Sequence, residues 1–294
     1  LMDLGTSLGY WVNPDDPEAH YELARMYRSL GRDCEAVAEY QKAADLAQEQ
    51  PTYHYHLAEA LRSVGEREQA MVALSKAISL DPEDAQAHYR LGVLLEEQGE
   101  YEQALAEYRE ASSIVPDHPG YHRQIAAVLY RLEDYEQAID TLGEALRQGA
   151  EDAETYGLLG QACAASGDQD GALEAYQRAI ALAPEAAVYH RRLGQILQQQ
   201  GDDEGAIESL QHAVSLDDRD TEAHEGLGSI WEGQGRLEEA LSEYSRAAEL
   251  DPSGARLQRA RGRVQRKLGR HGSALEALEQ AVSLAPADAV SHYE

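Results

Sequence analysis

The sequence overlays on itself at a period of 34 residues, and the register never slips. Eight repeats begin at Pro17, Pro51, Ala85, Pro119, Ala153, Ala187, Thr221 and Ala255 and run from 17 to 288 without insertion or deletion. A strict period of this length marks a chain in which one small module cannot bury its own apolar face and gains a core only by stacking on the next. Counting within each repeat, position 20 is always Ala, from Ala36 to Ala274, and so is position 27; position 8 is Ala or Gly throughout. Helices that cross closely need small residues at the crossing, because a larger side chain there overpacks by roughly 1–3 kcal/mol. The composition agrees. With no Phe and two Trp but abundant Ala, Leu, Gln and Glu, it favours helices with thin alanine-lined contacts over a thick aromatic core.

Position 15 is Gly in seven repeats (Gly31, Gly65, Gly99, Gly167, Gly201, Gly235 and Gly269), with Glu133 the exception. A glycine there can take the left-handed conformation that ends a first helix, A. Pro82, Pro116, Pro184, Pro252 and Pro286 fall at position 32, where a residue without an N–H stops a second helix, B. Each repeat thus reads as helix, tight turn, helix. With a bulky side chain at position 24, these residues make the chain resemble the tetratricopeptide repeat family from 17 to 288, although the family's usual Trp at position 4 is missing. The resemblance implies an all-α fold: a right-handed superhelical solenoid of stacked antiparallel helix hairpins. Residues 1–16 then read as the tail of a preceding degenerate repeat, with Pro14 in the position-32 register. The eight repeats span 17–50, 51–84, 85–118, 119–152, 153–186, 187–220, 221–254 and 255–288, and 289–294 begin a truncated ninth. The chain is expected to be part of a longer protein, with uncapped ends that offer a route to self-association.

A second period of 68 runs through the first. Position 24 alternates Tyr and Leu from Tyr40 to Leu278, while position 3 runs Ala19, Tyr53, Ala87, Tyr121, Thr155, Tyr189, Ala223, Leu257. If positions 3 and 24 lie opposite one another in each hairpin, large faces small and the pair conserves volume.

Chemistry-bearing motifs are scarce. Seven of the eleven histidines sit at position 4 (His20, His54, His88, His122, His190, His224 and His292), but helices 8–10 Å apart cannot bring their rings within about 2 Å of one ion. A structural role at a half-buried helix contact is expected, and no catalytic, metal or cofactor site is expected anywhere. The two cysteines, Cys34 and Cys163, stand too far apart along a linear array to be expected to pair, which points towards a reducing compartment such as the cytoplasm. The chain has no apolar stretch of the roughly 20 residues a membrane span needs. The 54 acidic residues outnumber 25 basic ones, giving a formal net charge of −29 that argues against nucleic acid as a partner.

The resemblance places positions 2, 5, 9, 12 and 13 of helix A on a concave groove. There the charge balance reverses, with eleven basic residues against eight acidic. Two patches stand out: Tyr21, Tyr55 and Tyr89 beside Arg25, Arg28 and Arg62, and a basic eighth repeat carrying Arg256, Arg259, Arg263 and Arg266; Arg123 and Arg191 lie between. These are the candidate partner-binding residues, and the partner is a protein or peptide, acidic in the sharper reading. Arg261 stands where other repeats carry Leu or Ile, so local packing or registration is expected to change there. The asparagines of the family's carboxylate clamp are absent. The chain is therefore read as a non-catalytic scaffold holding a partner's peptide or helix. The alternatives are a regulatory or substrate-docking arm of a larger enzyme, or a self-assembling array.

Overall fold

The computed structural model describes residues 15–285, and these form sixteen α-helices paired as hairpins. The first four hairpins are α1 Pro17–Ser29 with α2 Asp33–Leu46, α3 Pro51–Ser63 with α4 Arg67–Leu80, α5 Ala85–Glu97 with α6 Tyr101–Ile114, and α7 Pro119–Arg131 with α8 Tyr135–Arg147. The other four are α9 Ala153–Ser166 with α10 Gln169–Leu182, α11 Ala187–Gln200 with α12 Asp203–Leu216, α13 Thr221–Gly233 with α14 Leu237–Leu250, and α15 Ala255–Lys267 with α16 His271–Leu284. Among the described residues there is no strand, and no helix is long and apolar enough to cross a membrane. The chain divides into two compact blocks, one ending at Ala150 and the other beginning at Glu151. Each is an all-α solenoid segment of four hairpins. The expectations for Pro14 and for residues 289–294 fall outside the described residues.

The helix ends follow from local chemistry. Asp16, Asp84, Asp134, Asp152, Asp168, Asp202 and Asp220 each accept a backbone N–H from the turn they precede, satisfying donors that the helix itself leaves open. Proline opens α1, α3 and α7, where no N–H is needed. At the other end of every A helix the N–H at position 16 returns to the carbonyl at position 11, as from Arg32 to Tyr27 and from Arg270 to Gln265, both at 2.9 Å. The residue between has positive φ in all eight repeats: seven glycines, and Glu133 at 61°. That is a Schellman closure repeated without change.

The seams are built as the small residues require. Every alanine at positions 20 and 27 is buried, and position 8 is buried in all repeats. A Cβ added at Gly92 would lie 2.7 Å from the Tyr108 ring, and one at Gly194 2.7 Å from Leu210, so position 24 packs onto position 8 of its own hairpin. The large residues at position 3 pack outside their own hairpin. Tyr53 and Tyr121 reach back onto the preceding repeat, with ring centroids 5.1 Å from Tyr21 and 5.4 Å from Tyr89, and those two rings contact Tyr40 and Tyr108 at 5.7 and 5.6 Å. Tyr121 packs with Ala85 and Ala111 of that repeat. In the second block Tyr189 likewise closes over Gly157, at position 5 of the repeat before it. The 68-residue period therefore gathers large side chains at alternate seams. Consistent with this in the first block, α2 on α3 and α6 on α7 make broader contacts than α4 on α5; in the second block α11 adds its own contact with α13 where α12 meets α13, so the junctions are more even.

The position-4 histidines clasp the two helices of a hairpin. In three of the odd-numbered repeats the ring reaches the paired B helix: His20, His88 and His224 place Nδ1 at 2.5, 2.7 and 2.6 Å from Glu39, Glu107 and Glu243. His88 and His224 also set Nε2 3.2 Å from the carbonyls of Pro82 and Asp218. At His224 the carbonyl only accepts, so Nε2 donates, and Nδ1 faces a carboxylate that raises the ring's pKa; both contacts are satisfied together by the imidazolium. Arg261 leaves the register intact: α15 runs through it, and its Nη2 donates to Gln280 on α16 at 3.3 Å.

Candidate protein-binding face

Helix A supplies one face of each hairpin, and in the first block that face carries a tyrosine cluster edged with cations. Tyr21 and Tyr55 flank His56, with ring centroids 5.3 Å from it in both cases, and Tyr40 stacks on the same imidazole at 5.9 Å. Burial, followed by the nearby Arg28 and Arg25, pushes the His56 pKa below its ordinary value, so the ring is neutral at physiological pH. The Tyr53 hydroxyl donates to Glu18 at 2.7 Å, and its pKa is pushed up to about 12 by burial and by that carboxylate. These rings are held in place by packing and offer area at low entropic cost.

The cations around them are held loosely. Exposed Arg25 lies 5.8 Å from the Tyr21 ring and pairs with Glu22 at 2.8 Å, one helical turn away on its own helix. Exposed Arg62 meets Glu59 at 3.6 Å in the same manner, while half-buried Arg28 lies against Tyr40. Tyr89 sits over the third repeat with Arg90 above its ring at 5.7 Å. Arg123 is half-buried and already engaged. Solvent-exposed pairs of this i,i+3 type are worth only about 0.2–1 kcal/mol, so an incoming carboxylate can displace them.

The second block treats its arginines differently. Arg191 donates Nε to Asp220 at 2.8 Å and Nη1 to Glu222; Arg256 pairs with Glu225; Arg263 gives Nε and Nη2 to the two Glu232 oxygens at 2.9 and 2.8 Å, and Lys267 adds a third bond at 2.7 Å. Glu232 is 9% exposed at its side chain. Burial alone would raise its pKa, but Arg263 and Lys267 outweigh that and hold it at about 2. Arg259 and Arg266 are engaged as well. The basic eighth repeat is thus largely met by the acidic A helix of the seventh, residue against residue at spacings of 31 and 35. Reading the groove as a sum of charges hid this. The signal lay in Glu222, Glu225 and Glu232, which stand one repeat away from the cations they neutralise.

Models of known families cover much of the chain. One described as TPR repeat matches residues 24–65 and 160–201, and one described as tetratricopeptide repeat matches 191–255 and 233–289. The chain is a tetratricopeptide repeat protein. Residues 66–145 of this tetratricopeptide repeat protein also match a model described as anaphase-promoting complex, cyclosome, subunit 3. Among solved structures, the C-terminal part of a TPR repeat-containing protein from Cytophaga hutchinsonii has a TM-score of 0.69 at 15% identity, covering 82% of this chain and 98% of its own. A MamA RS-1 double mutant gives 0.55 at 25% identity, with 56% of this chain and 93% of that one covered. The Cut9–Hcn1 hetero-tetramer gives 0.60 at 17% identity, with 96% and 56% covered. No curated protein matches the chain in sequence. Tetratricopeptide repeat families are in general non-catalytic interaction scaffolds, and the fold supports a protein-interaction role for this chain.

Proposed function

We propose that the helix-A face of the first block, formed by Tyr21, Tyr55 and Tyr89 with Arg25, Arg28 and Arg62, receives an extended acidic segment of a partner protein, without catalysis. The observation that carries this reading is the contrast between the two blocks. In the first, Arg25 and Arg62 are held by weak pairs along their own helix, and Arg28 rests against the Tyr40 hydroxyl with no carboxylate partner among the described residues. In the second, Arg191, Arg256 and Arg263 are already bonded to carboxylates across repeats. An acidic ligand must break strong local bonds at the second site and only weak ones at the first. The acidic remainder of the protein repels such a segment elsewhere and so favours one mode of docking.

The test is titration of an acidic peptide against the protein and two triple variants. Reversing Arg25, Arg28 and Arg62 to Glu should lower affinity at least tenfold and flatten its salt dependence. Reversing Arg259, Arg263 and Arg266 should change affinity far less. Binding that is indifferent to the first set and to salt rejects the assignment.

A further inference from the structure

Glu232 and its tyrosine recur four repeats earlier without the two cations that Glu232 holds. At 136 residues' remove, Glu96 stands where Glu232 does and Tyr108 where Tyr244 does; both tyrosine hydroxyls donate to their carboxylates, at 2.9 and 3.3 Å. In the second block the next repeat closes the site with the Arg263 guanidinium, bonded through Nε and Nη2 to both carboxylate oxygens. In the first block the residue in Arg263's register is Ala127, partly exposed on the same face, and the one in Lys267's register is the exposed Arg131, which does not bond Glu96 as Lys267 bonds Glu232. Among the described residues, Glu96 accepts only from Tyr108. The carboxylate, the hydroxyl that orients it and the open side of the helix are all present, and the bidentate donor is not.

We infer that Glu96 and Tyr108 form a receptor for a guanidinium group supplied in trans, an arginine of the partner occupying the place that Arg263 fills in cis. A planar fork suits a carboxylate accessible through two oxygens better than an ammonium does, as the Arg263 geometry illustrates. Ala127 leaves the room such a side chain needs. This inference rests on the proposed binding of an acidic segment and specifies it. Glu96 lies two repeats on from Arg28 and one from Arg62, on the order of 20 and 10 Å at one interhelix spacing per repeat, which an extended chain crosses in about six and about three residues. The partner segment would therefore carry its carboxylates over the first two repeats and an arginine about three residues beyond the carboxylate that meets Arg62.

Calorimetric titration of the full chain with two peptides tests this. One carries only the acidic cluster, and the other adds an arginine about three residues beyond it, with a citrulline version as control. The arginine should raise affinity at least tenfold, citrulline should not, and Glu96→Gln should abolish the gain while leaving the acidic peptide's own affinity unchanged. Ala127→Arg should do the same by filling the site in cis, with circular dichroism checking that both variants fold. Equal binding of the arginine and citrulline peptides, or a gain that survives Glu96→Gln, overturns the inference while the acidic-segment reading stands. If the acidic peptide fails to bind but acetylarginine amide perturbs the Tyr108 and Ala127 NMR signals only while Glu96 is present, the earlier reading falls and this one holds. If neither probe binds, both fall.

Discussion

His224 shows how much one residue can do when both of its polar atoms are placed. It is 6% exposed, Nδ1 faces Glu243 on the partner helix, and Nε2 faces the Asp218 carbonyl of the preceding turn. The bond to Glu243 raises its pKa; burial opposes the shift, the Asp218 carbonyl supports it, and Arg246, from the same helix as Glu243, weakly offsets it. Asp220, which caps α13, adds a second carboxylate nearby. A pKa raised in the folded state means stabilisation that is complete below the unfolded value near 6.5 and is lost as pH rises through the folded value. Replacing His224 by Gln should therefore cost about 2 kcal/mol in mildly acidic buffer, the range of a hydrogen bond to a charged group, and markedly less at pH 9. Denaturant midpoints of wild type and variant at pH 5.5 and 9 give the comparison. A difference that does not change with pH would mean that the ring is neutral and the clasp merely packs.

At the level of the helix pair, the turn between A and B was fully legible because its chemistry is local. Glycine at position 15 announces a left-handed residue, and all seven glycines have one. Glu133 could only be flagged as an exception; the structure shows that it adopts the same conformation, at φ 61°, without the freedom of glycine. A left-handed L-residue costs roughly 1–2 kcal/mol, partly offset when glycine replaces it by the greater entropy of the unfolded chain. Glu133→Gly should thus stabilise the protein by about 0.5–1 kcal/mol, and Gly99→Ala should destabilise it by a similar amount, both read from thermal unfolding. The reverse signs would show that the turn is held by something other than backbone preference. What the sequence concealed was contact between repeats. Counting positions across an antiparallel hairpin set 3 against 24, yet the rings of Tyr53 and Tyr121 lean onto the previous repeat. The stagger between successive hairpins, which decides that, leaves no mark on the pattern within one. The ion pairs of Arg191, Arg256 and Arg263 escaped notice for the same reason, although the His and Glu that meet at positions 4 and 23 did coincide in repeats one, three and seven.

For the molecule as a whole, an array of identical modules has a stability close to the sum of module and interface terms, so unequal interfaces should divide it into cooperative groups. Within the first block the rings of Tyr21, Tyr40 and Tyr53 tie repeat one to repeat two, and those of Tyr89, Tyr108 and Tyr121 tie three to four. Between two and three the seam presents Leu74 and Ala87 and makes fewer contacts. In the second block Tyr189 joins five to six and the Glu232 network joins seven to eight, while α11 against α13 and the Arg191–Glu222 pair join six to seven. Native-state hydrogen exchange should accordingly show helices α1–α4 opening as one group and α5–α8 as another, with the divide at 81–84. Tyr121→Ala removes the ring that joins repeats three and four, so it should split the α5–α8 group and lower the protection of α7 and α8 more than that of α3. Uniform protection across the first block, or a divide at 115–118 instead, would show that the aromatic seams are no stronger than the rest, and the two-repeat period would then have no energetic meaning.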